Sequence, residues 1–172
     1  KNKVFLSLPT FKNLIIAGIG ALVFIMSLKM APRFPSILKV FPALHGTSLM
    51  IIGLGLILGK HPGYRISGVG VLLNSIVVFL NGGMPVEPSC LIEIGDEQAL
   101  SLITGGKTLT HVLANEGTKV RILCDRFIFS SPITSARVMS IGDGIIAVGM
   151  FLFMAGAVSY VFRRANLNEV DK

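Results

Sequence analysis

The chain has 172 residues, of which 52% are hydrophobic and only 15% charged, with a formal net charge of +7 and a mean hydropathy of +0.74. Soluble domains carry about 25% charged residues, so this composition excludes a soluble globular domain and describes an integral membrane protein. The positive charge then has a membrane explanation and needs no nucleic acid.

Lys1, Lys3 and the apolar Val4–Leu8 resemble the start of a signal peptide, yet no small-residue cleavage site follows. Before Pro9 the segment reads either as an amphipathic lead-in at the membrane surface or as the remnant of an earlier span. Four apolar blocks come next, at Asn13–Leu28, Ala43–Gly59, Ile66–Leu80 and Val138–Phe162. A span needs about 20 residues. The first three blocks are short and need their flanks, with Lys29 and Lys60 snorkelling to the interface. The expected fold is mostly α: a bundle of about four transmembrane helices with a small α+β extracytoplasmic cap between the third and fourth. The corresponding segments are 1–81 for the first three helices, 82–137 for the cap, 138–162 for the last helix and 163–172 for a cytoplasmic tail.

Orientation follows from Lys and Arg near the span ends. With four spans, Lys1, Lys3, Lys12, Lys60, Arg65, Arg163, Arg164 and Lys172 share one side, against Lys29, Arg33 and Lys39 in a short loop on the other. Both termini are therefore expected to be cytoplasmic. In the long connection, "GDEQALSLITGG" reads as a short helix with acids in its first turn and Gly105 after its end. "TLTHVL" and "TKVRILC" flank Ala-Asn-Glu-Gly and read as a β-hairpin. "SSPITSAR" leads back to the membrane.

The segments "GVLLNSIVVFLNGGMPV", "THVL", "TKVRILCD" and "SIGDGIIAVGMFLF" together resemble a family of small bacterial integral membrane proteins, a domain of unknown function. In that family Asn-Gly-Gly-(x)-Met-Pro-Val ends one span and Ser-x-Gly-Asp opens the last. The resemblance covers Ile66 to Phe153. This chain departs from it in having no residue between Gly83 and Met84 and in having Cys124 where the family tends to have Gly; the family also tends to have an additional first span before these segments. The resemblance implies a multi-pass protein of the bacterial cytoplasmic membrane and brings no activity.

Candidate chemistry is sparse. His45 opens the second block, His61 follows it and His111 sits in the expected hairpin, so the three read as surface or interfacial imidazoles with no shared metal. No Gly-x-Ser-x-Gly elbow or phosphate loop is present. Glycines within the apolar blocks, with Gly55/Gly59 and Ala17/Ala21 as small-xxx-small pairs, read as close-packing sites. Asp143 is the one acid inside an apolar block. It reads as the far end of a capping box with Ser140, or as a transport or relay group. Gly82, Gly83 and Pro85 terminate the third helix, which leaves Asn81 unexplained. Asn74 lies two turns earlier on nearly the same face, and amides in lipid need protein partners. Asn81 and Asp143 are expected to meet in one polar junction. Cys90 and Cys124, both in the long loop on the oxidising side, are expected to form a disulfide worth roughly 3–4 kcal/mol.

Two functions fit these residues. One is a non-catalytic accessory subunit of a larger, energy-transducing membrane complex, its partners being lipids and other integral membrane subunits docked on glycine-rich faces. The other is a free-standing small transporter or membrane enzyme with a polar site at Asn74, Asn81 and Asp143. No cofactor is expected.

Overall fold

The computed structural model describes residues 11–170; the lead-in at Lys1–Leu8 lies outside them. Four long helices dominate: α1 (Phe11–Met30), α2 (Pro35–Ile57), α3 (Pro62–Asn81) and, after the long connection, the last helix (Ile141–Val170). Each is long and apolar enough to cross a membrane. Helices α1 and α3 take in the flanks of their short apolar blocks, and the 20 residues so reached give about 30 Å, the thickness of a bilayer core.

Proline sets two of the starts. Pro35 and Pro62 stand in the first turns of α2 and α3, where a missing N–H costs nothing and φ is already helical. Helix α2 thus begins eight residues before the apolar block that marks it in the sequence and runs through Pro42. His45 consequently lies well inside the helix. At the far end of α3, Gly82 takes φ +75°, the left-handed conformation that closes a helix.

The helices form a row. α1 packs on α2, α2 on α3, and α3 on the last helix, while the two outer helices do not pack along each other. Lipid supplies no hydrophobic drive between helices, so close van der Waals approach has to hold such a row. Glycine permits it. A Cβ on Gly55 would meet the Ala17 backbone, one on Gly68 the Gly53 carbonyl, and one on Gly70 the Gly142 carbonyl. The small residues of the spans are therefore largely occupied by contacts within the chain. Hydroxyls and an amide tie the same seams, from Ser75 Oγ to the Gly46 carbonyl (2.8 Å), Ser67 Oγ to the Ile146 carbonyl (3.2 Å) and Asn13 Nδ2 to the Leu58 carbonyl (2.7 Å).

The connection after α3 holds β1 (Met84–Val86), α4 (Pro88–Glu93), α5 (Glu97–Thr104), β2 (His111–Leu113), a 3₁₀ turn at Arg121–Leu123, β3 (Phe127–Ser131) and β4 (Thr134–Met139); the last long helix is α6. The acid-started helix is present as α5, with Asp96 Oδ1 accepting from Ala99 N at 2.9 Å. The hairpin lies elsewhere than expected. Residues His111–Leu113 pair in parallel with Met84–Val86, and Arg121–Leu123 is a turn, not a strand. The Asn115 turn does form, its Oδ1 accepting from Gly117 N, but the chain beyond it docks on Asn81 and does not return along β2. The antiparallel hairpin is β3–β4, joined by Pro132-Ile133 in the stretch that looked like a lead back to the membrane. Pro favours the first central position of such a turn.

β1 is the thread that binds this segment together. All three of its residues are buried. Met84 N donates to the Thr110 carbonyl and Ala114 N to the Val86 carbonyl on one side; Asp125 N donates to the Pro85 carbonyl on the other. Beneath it Val77, Val78, Met84 and Cys124 form a buried apolar cluster that joins α3 to the connection.

Candidate functional site

The expected polar junction separates into two. Asn81, the last residue of α3, uses its side-chain amide like a peptide group: Oδ1 accepts from Lys119 N (2.8 Å) and Nδ2 donates to the Lys119 carbonyl (3.0 Å). It anchors the loop before the 3₁₀ turn and makes no hydrogen bond to Asp143. Immediately after the loop, Val120 holds φ +52°, a left-handed conformation costly for a β-branched residue. Gly83 leaves room for β2, since a Cβ there would lie 3.1 Å from Val112 Cγ1.

Asp143 meets Asn74 instead. Asn74 Nδ2 donates to Asp143 Oδ1 at 2.8 Å, and Ser140 Oγ donates to Asn74 Oδ1 at 3.0 Å. Ser140 N donates to Asp143 Oδ2 and Asp143 N to Ser140 Oγ, both at 3.0 Å, the reciprocal bonds of a capping box. The β3–β4 hairpin returns the chain to the level of Asn74, about 10 Å below the end of α3 at 1.5 Å per residue. That stagger is why Asn81 and Asp143 do not pair. Gly142 is required here, because a Cβ would collide with the Asn74 amide.

Beside this junction is a cavity of about 290 Å³ between the helices and the connection. Each of the four long helices contributes to its wall, through Phe24, His45 and Leu49, Val71 and Asn74, and Asp143 and Ile146; Met84, Thr110, His111 and Asp125 close it from the connection. No single stretch of sequence announces such a site. His45 is 7% exposed and Asp125 6%. Among the described residues neither His45 Nδ1 nor Asp125 Oδ1 has a hydrogen-bond partner, although both atoms are buried. Buried polar atoms are nearly always paired. His111 is exposed, as a surface imidazole would be, but it lies in the parallel β1–β2 pair and not in a hairpin; its Nδ1 is 2.8 Å from Thr110 Oγ1 and its Nε2 is 3.9 Å from Asp125 Oδ2. His111 and Asp125 also line a second cavity of about 370 Å³ in the connection, so this pair forms part of both walls.

Electrostatics follow from burial. Desolvation, with a smaller contribution from the charge of Asp143, pushes the Asp125 carboxyl up to about 7. Desolvation lowers His111, and Asp143 opposes it. Outside the cavity, Arg121 grips Glu87 with two bonds, Nε to Oε1 at 2.6 Å and Nη2 to Oε2 at 2.8 Å, and these hold the Glu87 carboxyl below its usual range. Among the described residues no cluster of three His, Cys, Asp or Glu side chains could hold a metal.

The cysteines do not form the expected bridge; both are free thiols. Cys124 is turned into the apolar cluster under β1, whereas Cys90 Sγ points to the Arg126 carbonyl at 3.3 Å. Burial raises the Cys124 thiol.

Fold and sequence together define a mostly helical protein with four helices of membrane-spanning length and composition, plus two small strand pairs. Residues 8–155 match a family of unknown function, DUF5317, and the chain belongs to that family. Comparison with curated proteins and with solved structures gives no match.

Proposed function

We propose that this protein is a multi-pass membrane protein that binds a small molecule in the cavity between its helix row and the α3–α6 connection. The observation that carries this reading is the cavity wall itself. It places two buried polar atoms, His45 Nδ1 and Asp125 Oδ1, that have no hydrogen-bond partner among the described residues around a space large enough for a small ligand. The resemblance drawn from its motifs supports a bacterial cytoplasmic membrane as its location, and the Lys and Arg distribution favours an orientation with both termini cytoplasmic and the connection, as a cap, outside.

Native mass spectrometry of protein extracted from its own membrane in mild detergent tests the binding role. A small bound adduct that disappears in Val71→Phe, which fills the cavity, is the expected result. An adduct that persists in that variant would overturn it.

The accessory-subunit role is the second reading. Its glycine premise weakens, because those glycines meet the chain's own helices. Its remaining support is the open row, whose outer helix α6 leaves Phe151 70% and Phe162 67% exposed. Migration on native gels as part of a large complex would favour it.

A further inference from the structure

We propose that the cavity takes a small organic ammonium ion, with Asp125 and Asp143 as its counter-charges. This deepens the binding reading above and rests on it.

Charge is the first ground. Two carboxylates line the cavity and no Lys or Arg does. Asp143 is held by neutral donors, Asn74 Nδ2 and Ser140 N, so no cation balances it. Asp125 faces His111 from β2, His45 from α2 and Asp143 from α6. The His111 contact, at 3.9 Å, is beyond hydrogen-bond length. Of the guanidinium groups around the connection, Arg121 is bound to Glu87 and Arg126 lies over the Phe127 ring at 6.0 Å, while Arg137, with Asp96, lines the second cavity that Asp125 borders and not this one. A buried carboxylate without a cation is costly, and in the empty site the proton that Asp125 retains relieves that cost.

Shape is the second ground. Phe24, Leu49, Val71, Val78 and Ile146 make most of the wall apolar, which suits an alkyl substituent. A bare metal ion would need several converging oxygens, and among the described residues no three His, Cys, Asp or Glu side chains come together to hold one. An ammonium group donates only, which matches a carboxylate that only accepts. Its arrival displaces the Asp125 proton, so about one proton leaves for each cation bound well below pH 7 and about half a proton at pH 7. With Asp125 titrating at about 7, competition by that proton makes apparent affinity about tenfold tighter at pH 8 than at pH 6.

The test is thermal unfolding of the full chain in dodecyl maltoside, followed by circular dichroism, with n-butylammonium chloride, sodium butyrate, 1-butanol or potassium chloride. Butylammonium alone is expected to raise the midpoint saturably, with the tenfold pH dependence, and to lose its effect in Asp125→Asn. Equal shifts with potassium chloride would overturn the organic class in favour of an inorganic cation. A saturable shift with butanol or butyrate but not butylammonium, abolished by Val71→Phe, would overturn the cation class and leave the binding reading standing. No saturable shift with any probe would overturn both.

Discussion

The two polar regions along α3 follow opposite rules. At the Asn74–Ser140–Asp143 junction each side chain is tied to another, and a glycine is spent at Gly142 to let them meet. In the wall of the adjoining cavity His45 and Asp125 are more deeply buried than Asn74 and Asp143, yet among the described residues His45 Nδ1 and Asp125 Oδ1 have no hydrogen-bond partner. Evolution of stability alone would fill or pair the second region, since an unsatisfied buried polar group costs about 1–3 kcal/mol. Retaining it marks a site kept for something other than the fold. The junction holds the molecule together, and the cavity wall is held ready.

The strongest way to break this contrast is at the closest approach. Gly142→Leu drives a side chain into Asn74 and the Gly70 backbone, and should abolish folded protein in detergent, read by gel filtration. Gly144→Ala, one turn position away with open space around it, should be neutral or stabilising by up to about 1 kcal/mol. Next comes Asn74→Leu, which leaves Ser140 Oγ and Asp143 Oδ1 each short of a partner. A loss of about 2–3 kcal/mol is expected by chemical denaturation. Asn81→Leu should cost less, about 1 kcal/mol, because it releases only the Lys119 loop. Its signature is faster protease cleavage near 115–120 with the helices intact. The smallest effect is at the cysteines: after denaturation, both Cys90 and Cys124 should label fully without reductant.

The sequence displays the helices because their information is local. A short apolar run with its flanks and the Gly-Gly-Met-Pro stop suffice for α3, and a three-residue spacing suffices for the Ser140–Asp143 bonds. The start of α2 is obscured because Lys39 and Pro42 interrupt the apolar run that the helix ignores. β2 misleads for a different reason. His111–Leu113 finds its partner in Met84–Val86, a parallel pairing across two helices that no turn signal announces. The β3–β4 hairpin did carry a signal, two strand-like runs joined by Pro132-Ile133, but its serines look like loop. Cavity residues His45, His111 and Asp125 come from three distant segments, and only the tertiary fold assembles them. The Asn81–Asp143 expectation ignored the stagger between α3 and α6, which a sequence does not encode in any single motif.

The central claim is that Asp125 is kept at the cavity wall against the interest of stability. The direct measurement is unfolding free energy against pH, without ligand, for the wild type and Asp125→Asn. Asp125 has its folded value raised to about 7, above its ordinary 3.8. The wild type therefore loses no stability from this group below about pH 4 and loses it progressively as pH rises through 7, by at most about 4 kcal/mol. The account predicts that the two proteins are close in stability near pH 4 and that Asp125→Asn becomes the more stable above pH 7. An Asp125→Asn variant less stable than the wild type at pH 8 would contradict it, because Asp125 would then be a partnered structural group.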